Sequence, residues 1–279
     1  MHSKESYNYV NLNMNNELMA KKKQRLDIRI KELGLAPSRS KAQALVMAGS
    51  VLVNQKPVSK AGYLVSDDDE IILKGRQCPY VSRGGLKLEA ALEHFDIDVT
   101  GKICIDVGAS TGGFTHCLLQ KGATLVYAID VGYGQLDWSL RNRKEVINLE
   151  KTNIRYVSPE LFDPPPELAT VDVSFISLKV VMPAILSVMT RKAGDIIALI
   201  KPQFEAGPSK VGKGGVVRSE QVRKEVIRDL IHFFSETLGL LVHGVIESPI
   251  KGIKKGNKEY LIYLTKGEGS SPCQTQTLT

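Results

Sequence analysis

The spacing of apolar residues divides the chain into two regions with different patterns of secondary structure. In residues 25–35 apolar side chains recur every three or four positions, which is the spacing of a helix. A second short helix is predicted over residues 41–47, preceded by serines that can cap it. Three short apolar runs separated by polar turns predict strands at residues 51–53, 57–58 and 70–73. Residues 23–76 therefore predict a small α+β domain.

From residue 83 onward, strand-length apolar runs alternate with helical patterns. Helices are predicted over residues 86–95, 113–121 and 218–238. Seven strands are predicted, at residues 103–107, 125–129, 146–149, 170–173, 195–199, 241–246 and 260–264. Such alternation is typical of a mostly parallel sheet with helices on both faces, so residues 83–267 predict a seven-stranded α/β domain. The remaining segments are predicted to be a linker and two flexible tails, at residues 77–82, 1–22 and 268–279.

Composition excludes several classes of protein. The chain has 279 residues, of which 43% are hydrophobic and 24% charged, as in ordinary globular proteins. No run of eighteen apolar residues occurs, and the polar N-terminal segment lacks the apolar stretch of a signal peptide, so we expect no membrane association. The four cysteines form no C-x-x-C pair. We therefore expect no metal site, and a reducing, cytoplasmic location.

The excess positive charge is confined to one segment. Residues 21–60 contain ten Lys or Arg and two acidic residues, whereas residues 61–279 contain twenty-six of each sign. A localised basic surface is typical of proteins that bind a polyanion, although it can also be a solvated surface without a partner. The candidate contact residues are Lys21, Lys22, Lys23, Arg25, Arg29, Arg39 and Lys41, with Arg83 at the start of the second domain.

A glycine-rich turn follows the first strand of the α/β domain. Its sequence is Gly108-Ala109-Ser110-Thr111-Gly112-Gly113, and Asp106 lies on the strand before it. Glycines let a backbone approach a ligand closely, and the N-terminus of the following helix offers amides and positive potential. The next strand ends in Asp130, whose carboxylate can accept hydrogen bonds from ribose hydroxyls. Asp106, the six turn residues and Asp130 therefore predict a site for a nucleoside-containing cofactor.

Other interpretations of this turn remain open. It is not G-x-G-x-x-G, which counts against a dinucleotide, and it lacks the Lys-Ser/Thr of a P-loop. It does contain G-x-S-x-G, so Ser110 could be a hydrolase nucleophile with His232 or His243 as its base, although Asp106 and Asp130 would then be unexplained. It could also be a tight turn that binds nothing. The pattern D-x-G-x-x-x-G-G-F with a later acid is typical of the S-adenosylmethionine (SAM) loop of Rossmann-like methyltransferases.

The small N-terminal domain resembles the S-four-type RNA-binding domain. The resemblance covers about fifty residues and is carried by Arg25-Leu26-Asp27, Ser38-Arg39-Ser40-Lys41-Ala42 and Gly49-Ser50-Val51-Leu52-Val53-Asn54. It implies that the second helix presents basic side chains to structured RNA. The candidate basic residues would then be RNA-binding residues.

Residues 82–265 resemble the FtsJ-like ribose 2′-O-methyltransferases. Four motifs carry the resemblance: Ser82-Arg83-Gly84-Gly85-Leu86-Lys87-Leu88, Val171-Asp172-Val173-Ser174-Phe175-Ile176-Ser177-Leu178, Leu199-Ile200-Lys201-Pro202-Gln203-Phe204-Glu205 and Gly256-Asn257-Lys258-Glu259-Tyr260. Together with the N-terminal domain they make the chain similar to the TlyA group of rRNA methyltransferases, whose members have often been labelled hemolysins. The implied fold is a Rossmann-like SAM-dependent methyltransferase domain that follows a small RNA-binding domain along the chain.

This resemblance implies an active site formed by Lys87, Asp172, Lys201 and Glu259. It implies methyl transfer from SAM to a ribose 2′-hydroxyl of ribosomal RNA, with cytidine as the modified nucleotide. Lys201 is expected to remove the hydroxyl proton, while the two carboxylates orient the lysines. Residues 208–218, rich in Gly and Lys, are expected to form a mobile substrate or product loop. The expected partners are ribosomal RNA or ribosomal subunits.

Two functions of other classes remain open. A membrane-active hemolysin or cytotoxin would need a membrane-binding element, and the amphipathic residues 218–238 favour a sheet-covering helix instead. A non-catalytic RNA-binding protein would have no need of the six acidic and basic side chains of the predicted cofactor and active sites. The sequence leaves the oligomeric state open.

Overall fold

The computed structural model describes residues 23–73, 78–190, 193–250 and 257–267. The chain divides into two compact units, Met1–Gln77 and Cys78–Thr279. Both predicted tails, and with them Lys21 and Lys22, lie outside the described residues. Within the described ranges, no helix has the length and apolar character needed to cross a bilayer.

Residues 23–73 of the N-terminal unit contain two helices and five very short strands. Its elements are β1 (Gln24–Arg25), α1 (Leu26–Glu32), α2 (Arg39–Met47), β2 (Val51–Val53), β3 (Lys56–Pro57), β4 (Leu64–Val65) and β5 (Ile71–Leu73). Strand β1 pairs antiparallel with β4, and β2 lies between β3 and β5, antiparallel to both. The predicted α+β class is confirmed. Strands β1 and β4 were missed because a pair of residues shows no alternation.

Local sequence explains where these elements begin and turn. The Ser38 hydroxyl accepts a hydrogen bond from the Lys41 amide and caps α2, as one of the two predicted serines. Between β2 and β3, Asn54 and Gln55 both have positive φ, which is the backbone of a two-residue hairpin turn with the right twist. The apolar faces of the helices and sheet enclose one small core.

A buried carboxylate joins α1 to α2. Asp27 is fully buried and accepts hydrogen bonds from two nitrogens of Arg25, from Arg39 Nε at 3.0 Å and from Gln43 Nε2 at 2.6 Å. The Arg25 hydrogen bond, aided by those from Gln43 and Arg39, holds the pKa of the Asp27 carboxyl well below its usual range. Two of the predicted RNA-binding arginines therefore also have a structural role.

Replacing Asp27 by Asn tests this role. At pH 7 we expect Asp27→Asn to lower the stability of the N-terminal unit by about 2 kcal/mol, because hydrogen bonds to a charged acceptor are the stronger kind. The folded-state pKa lies below the unfolded value of about 4, so the charge stabilises the unit above that pH. Its contribution is lost as the pH falls towards the folded-state pKa.

Amide hydrogen exchange in α1 of the full-length protein measures the effect. The deficit of Asp27→Asn relative to wild type is expected to shrink between pH 7 and about pH 2.5. Asp68→Asn, an exposed acid in the turn before β5, is the matched control. An equal deficit at both pH values would show that the charge of Asp27 does not hold the two helices together.

The C-terminal unit alternates helices and strands. Its elements are α3 (Gly84–His94), β6 (Ile103–Val107), α4 (Gly113–Gln120), β7 (Leu125–Ile129), α5 (Trp138–Arg141), β8 (Val146–Leu149), β9 (Leu168–Val171), α6 (Leu178–Val188), β10 (Gly194–Ile200), α7 (Pro202–Glu205), α8 (Glu220–His232), β11 (Leu241–Glu247) and β12 (Tyr260–Lys266). A π-helical turn, Phe233–Thr237, continues α8. The helix predicted over residues 218–238 is thus present, with Ser219 as its N-cap.

One seven-stranded sheet forms the centre of this unit. The strand order is β11-β12-β10-β9-β6-β7-β8, and β12 runs in the opposite direction to the other six strands. Successive residues of each strand face opposite sides: Ile105 packs with α6 and α8, while Cys104 packs with α3 and α4. The predicted mostly parallel, seven-stranded sheet is confirmed. Strand β9 starts and ends two residues earlier than predicted.

Helix α6 is held by a charged side chain at each end. Glu205 accepts hydrogen bonds from the Leu178 amide at 2.8 Å and from the Ser177 hydroxyl at 2.6 Å, at the N-terminal end. At the other end, the buried Lys266 ammonium donates to the carbonyls of Leu186 and Thr190, both at 3.2 Å. A negative charge at a helix N-terminus and a positive charge at its C-terminus both interact favourably with the helix dipole.

The chain reverses its direction of progress across the sheet between β6 and β9. From β6 it proceeds outward to β7 and β8, and then returns to place β9 on the other side of β6. In open α/β sheets ligands bind in the crevice at the carboxyl ends of the strands at such a point. Gly108 and Asp172 follow these two strands, so the fold places both at this crevice.

Candidate active site

The glycine-rich turn after β6 packs so closely that larger residues do not fit. Gly108 has φ of +88°, and a Cβ there would lie 2.5 Å from the backbone oxygen of Asp172. Gly112 has φ of +89°, and a Cβ there would lie 2.4 Å from Leu140 Cδ1. Both the left-handed backbone and the close contacts therefore require glycine. The turn leads directly into the first residue of α4, Gly113.

Asp106 lies beneath this turn. It is fully buried; its Oδ2 accepts hydrogen bonds from the Thr115 amide at 2.9 Å and hydroxyl at 2.7 Å, and its Oδ1 accepts from the Thr170 hydroxyl at 3.2 Å. The carboxyl thus ties β6 to the first turn of α4 and to β9. The cofactor contact that the sequence predicts for Asp106 stays a prediction, and the structure adds a structural role for this carboxyl.

The burial of Asp106 has a consequence for stability. Burial raises the pKa of Asp106 to about 7, although the hydrogen bonds from Thr115 and Thr170 act in the opposite direction. Its unfolded value is near 4, so the folded protein retains a proton that the unfolded chain releases between about pH 4 and pH 7. Stability therefore falls as the pH rises through this interval.

Asp106→Asn should remove this part of the pH dependence, because the amide keeps an acceptor for Thr115 and has no charge to bury. We expect the melting temperature of Asp106→Asn to rise relative to wild type as the pH is raised from about 5 to about 8. Thermal unfolding of both proteins over this range is the measurement. A difference that stays constant with pH would contradict the assigned cause.

Asp130 holds the turn from the side. Its Oδ2 accepts a hydrogen bond from the Ser110 amide at 2.8 Å, and its Oδ1 accepts from the Gly132 amide at 2.7 Å. Asp130 also lines a cavity of about 450 Å³, the Asp130 cavity, with Val131, Asn153, Ile176 and other residues. Its carboxylate is therefore fixed at the wall of this cavity, and its binding of a cofactor ribose stays a prediction.

The four residues of the predicted active site form two ion pairs. Lys87 Nζ, on α3, lies 2.6 Å from Glu259 Oε2, just before β12. Lys201 Nζ, directly after β10, lies 2.6 Å from Asp172 Oδ1, after β9. The Lys201 ammonium also donates a hydrogen bond to Ser174 Oγ at 2.8 Å. The lysine side chains are 12% and 10% exposed, so solvent screens these pairs little.

All four residues line one cavity of about 750 Å³, the tetrad cavity. A third cavity, of about 370 Å³, lies against the glycine-rich turn and is lined by Ser82, Arg83, Lys87 and the start of α4; we name it the turn cavity. Gly108, Ser110 and Asp172 line all three cavities. The three spaces therefore meet at these residues, beside the carboxyl ends of β6 and β9.

Several residues of the site were not singled out from the sequence, although they lie in the quoted motifs. Ser174 accepts from Lys201, and Phe175 is 83% exposed with φ of +64°, a strained backbone for a bulky residue. The rings of Phe175 and Phe204, 5.0 Å apart, line the tetrad cavity. Asn257 lines it too. Position within a motif was the only sequence signal for these residues.

The hydrolase interpretation of Ser110 gains no support, since neither predicted base, His232 or His243, hydrogen-bonds to it among the described residues. The Ser110 hydroxyl donates to Gln135 Oε1 at 3.3 Å. His232 ends α8. His243 is on the edge strand β11, and its Nε2 lies 2.9 Å from Oγ1 of Thr265 on β12. Strand β11 is four positions from β6, which at about 4.8 Å per strand is roughly 19 Å.

Within the described ranges no cluster of side chains suited to a metal ion occurs.

The predicted mobile loop, residues 208–218, has defined contacts. A 3₁₀ turn, Pro208–Lys210, opens it, and Gly212 and Val216 pair as an isolated antiparallel bridge. Val217 is buried. Val211, Gly214 and Gly215 line the tetrad cavity. The loop therefore forms part of the cavity wall in this structure.

The candidate RNA-binding residues have different environments. Arg25 and Arg39 are about half exposed while bonded to Asp27, with side-chain exposures of 43% and 51%. Arg29 is mostly covered and pairs with Glu32 and Asp67. The two remaining described residues of the N-terminal set, Lys23 and Lys41, are exposed. Arg83, in the C-terminal unit, lines the turn cavity.

Comparison with known proteins matches both units to families. A model of the FtsJ-like methyltransferases matches residues 80–266, and a model of the S4 domain matches residues 24–71. The 16S/23S rRNA (cytidine-2′-O)-methyltransferase TlyA of Mycobacterium tuberculosis is 45% identical over 241 residues, covering 86% of this chain and 89% of the relative. Hemolysin A of Brachyspira hyodysenteriae is 42% identical over 240 residues, covering 86% of this chain and 98% of the relative.

A solved structure has the same architecture. It is of a protein from Streptococcus thermophilus that carries a hemolysin name, and it has a TM-score of 0.69 at 42% identity, covering 92% of this chain and 93% of that chain. The chain is thus a methyltransferase of the FtsJ-like family. Within this family it belongs with the proteins named TlyA and hemolysin, as the sequence motifs indicated.

Proposed function

We propose that this protein transfers a methyl group from SAM to a ribose 2′-hydroxyl of ribosomal RNA. The observation that carries the proposal is the meeting of three cavities at Gly108, Ser110 and Asp172. One of them presents the carboxylate of Asp130, another the glycine-rich turn, and the third two lysine–carboxylate pairs. A methyl donor held in the first two would face a nucleophile held in the third.

The residues around the turn suit SAM. The carboxylate of Asp130 keeps lone pairs for ribose hydroxyls, and the Asp130 cavity has apolar walls that suit an adenine ring. Gly108, Ala109, Ser110, Thr111 and Gly113 line the turn cavity, where the N-terminus of α4 and Arg83 favour a carboxylate. When bound, SAM supplies a methyl group on a positively charged sulfur. In this proposal Asp106 and Gly112 shape the turn from behind.

The tetrad residues would then prepare the hydroxyl. A ribose 2′-hydroxyl is a weak nucleophile and must lose its proton as it attacks, so a base has to lie within hydrogen-bond reach. Lys201 Nζ is proposed to accept that proton in its neutral amine form, after it has released one proton to solvent, with Asp172 and Ser174 fixing its position. Lys87, fixed by Glu259, is proposed to bind the reacting oxygen and limit its motion. Alignment of donor and acceptor in this cavity would supply much of the rate.

An RNA substrate fits the rest of the chain. Residues 23–76 are proposed to dock on structured RNA through Lys23, Arg25, Arg39 and Lys41, and Lys21 and Lys22 of the same basic segment are included from the sequence alone. Phe175 and Phe204 offer aromatic faces on which a base can stack beside the tetrad. The name of the mycobacterial relative, an rRNA (cytidine-2′-O)-methyltransferase, supports cytidine as the target, and a ribosomal RNA substrate supports action in the cytoplasm.

Methyl transfer to ribosomal particles tests this function. Wild-type protein, Lys201→Ala and Lys224→Ala are incubated with methyl-labelled SAM and ribosomal subunits or free rRNA, and the digested nucleosides are identified by mass. We expect label on ribose with wild type and with Lys224→Ala, an exposed lysine on α8. Lys201→Ala should lose about 10²- to 10⁴-fold in rate, as expected for a general base, while SAM affinity stays within a few-fold.

Each other result points elsewhere. Label on a base instead of ribose would overturn the assigned nucleophile. Full turnover by Lys201→Ala would overturn its role as the base. SAM binding without transfer to any subunit or rRNA would indicate another RNA. Absence of SAM binding, together with leakage of liposomes by the purified protein, would favour the membrane-active function.

A further inference from the structure

The side chain of Asn257 has an environment that the proposed chemistry does not explain. Asn257 is only 4% exposed, lies two residues before Glu259, and lines the tetrad cavity. Its Oδ1 accepts a hydrogen bond from the Val217 amide at 3.1 Å, and its Nδ2 donates to the Gly215 carbonyl at 2.8 Å. One amide thus bonds to two backbone groups of a segment forty residues away in sequence.

That segment, residues 211–217, is a tight turn that forms one wall of the cavity; we name it the wall turn. Within it Gly212 donates to the Val216 carbonyl at 3.1 Å, and Gly215 donates to the Gly212 carbonyl at 3.0 Å. Gly214 and Gly215 have positive φ and would add no side-chain packing to hold the turn. Its tip therefore depends on bonds from outside, and Asn257 provides two of them.

The two ends of the wall turn are held separately by α8. Arg223 Nη1 donates to the carbonyls of Val217 at 3.0 Å and of Arg218 at 2.8 Å. Lys210 Nζ lies 2.9 Å from Glu225 Oε2. These contacts fix where the segment leaves and rejoins the body of the protein. Between them, the part that lines the cavity is positioned by Asn257.

We propose that Asn257 is a positioning residue that holds the wall turn in place to receive the RNA nucleotide in the tetrad cavity. The proposal rests on the methyltransferase function proposed above. The wall turn contributes Val211, Gly214 and Gly215 to the tetrad cavity, and none of these lines the Asp130 cavity or the turn cavity. The effect of Asn257 should therefore fall on RNA and not on the methyl donor.

The amide group suits this role because it combines a donor and an acceptor on one rigid plane. Asp at this position would keep the acceptor for Val217 but turn a buried carboxylate oxygen towards the Gly215 carbonyl. Ala would leave both backbone groups without their partner, and an unpaired buried polar group is costly. The two substitutions therefore remove one and two of the hydrogen bonds, respectively.

The test compares wild type with Asn257→Ala, Asn257→Asp and the control Lys258→Ala. Lys258 is the next residue, but it is 40% exposed, pairs with Glu247 and does not line the cavity. Amide hydrogen exchange of a peptide covering the wall turn reports its fixation without any activity. Steady-state methylation gives KM for RNA and kcat, and SAM affinity is measured by titration.

For Asn257→Ala we expect faster exchange of the wall turn and a KM for RNA raised about tenfold, the size expected for losing one or two neutral hydrogen bonds. The value of kcat should stay within about threefold and SAM affinity within about twofold, since the Lys201–Asp172 and Lys87–Glu259 pairs are untouched. Asn257→Asp should change the same quantities in the same direction. Lys258→Ala should resemble wild type.

Other outcomes overturn the proposal. Unchanged exchange would show that Asn257 does not hold the turn, and faster exchange with unchanged KM would show that the turn does not serve RNA. A fall in kcat alone would place the effect on Glu259 instead. If Asn257→Ala does not bind SAM and so has lost its fold, Asn257→Asp must show the split between KM and kcat. Wild type that methylates no RNA would defeat the proposed function, while exchange would still test the fixation.

Discussion

The site depends on the close approach of two chain segments at the centre of the sheet. The backbone after β6 touches the backbone after β9 so closely at Gly108 and Asp172 that no side chain fits between them. This contact places Gly108, which lines all three cavities, directly against Asp172 of the tetrad. Because neighbouring parallel strands are fixed by their hydrogen bonds, the contact is set by strand register and not by the loops alone. A shift of either strand would separate the Asp130 cavity and the turn cavity from the tetrad cavity.

The tetrad shows how four charges can be kept in a partly buried site. Each lysine lies against one carboxylate, so the set carries no net charge when all four groups are ionised. Pairing offsets the cost of removing the charges from water, and each partner also limits the rotation of the other. The four side chains come from α3 and from the ends of three strands, so the rigid sheet fixes their spacing. A loop-borne site would not hold them so closely.

The sequence was sufficient to predict the sheet, because strand-length apolar runs that alternate regularly with helical segments are compatible with few other folds. The four tetrad positions were selected only through resemblance to a family, since nothing in their spacing shows that Lys87 and Glu259 meet; the structure brings them together, and their catalytic role stays a prediction. Two kinds of feature could not be predicted. Strands of two residues have no periodicity, and the role of a charged residue depends on its neighbours in space. Asp106 proved to be buried under the turn, and Arg25 and Arg39 proved to be bonded to Asp27.

The charged contacts at the two ends of α6 have a consequence for how this domain can change over evolutionary time. Glu205 belongs to the segment that carries Lys201, and Lys266 to the strand that begins after Glu259. The helix between them follows Asp172 by six residues. An insertion or deletion within α6 would move one of its ends away from Glu205 or Lys266, or would displace Asp172 relative to the sheet. Length variation among relatives should therefore be rare in this helix and concentrated in connections that carry no such anchor at either end.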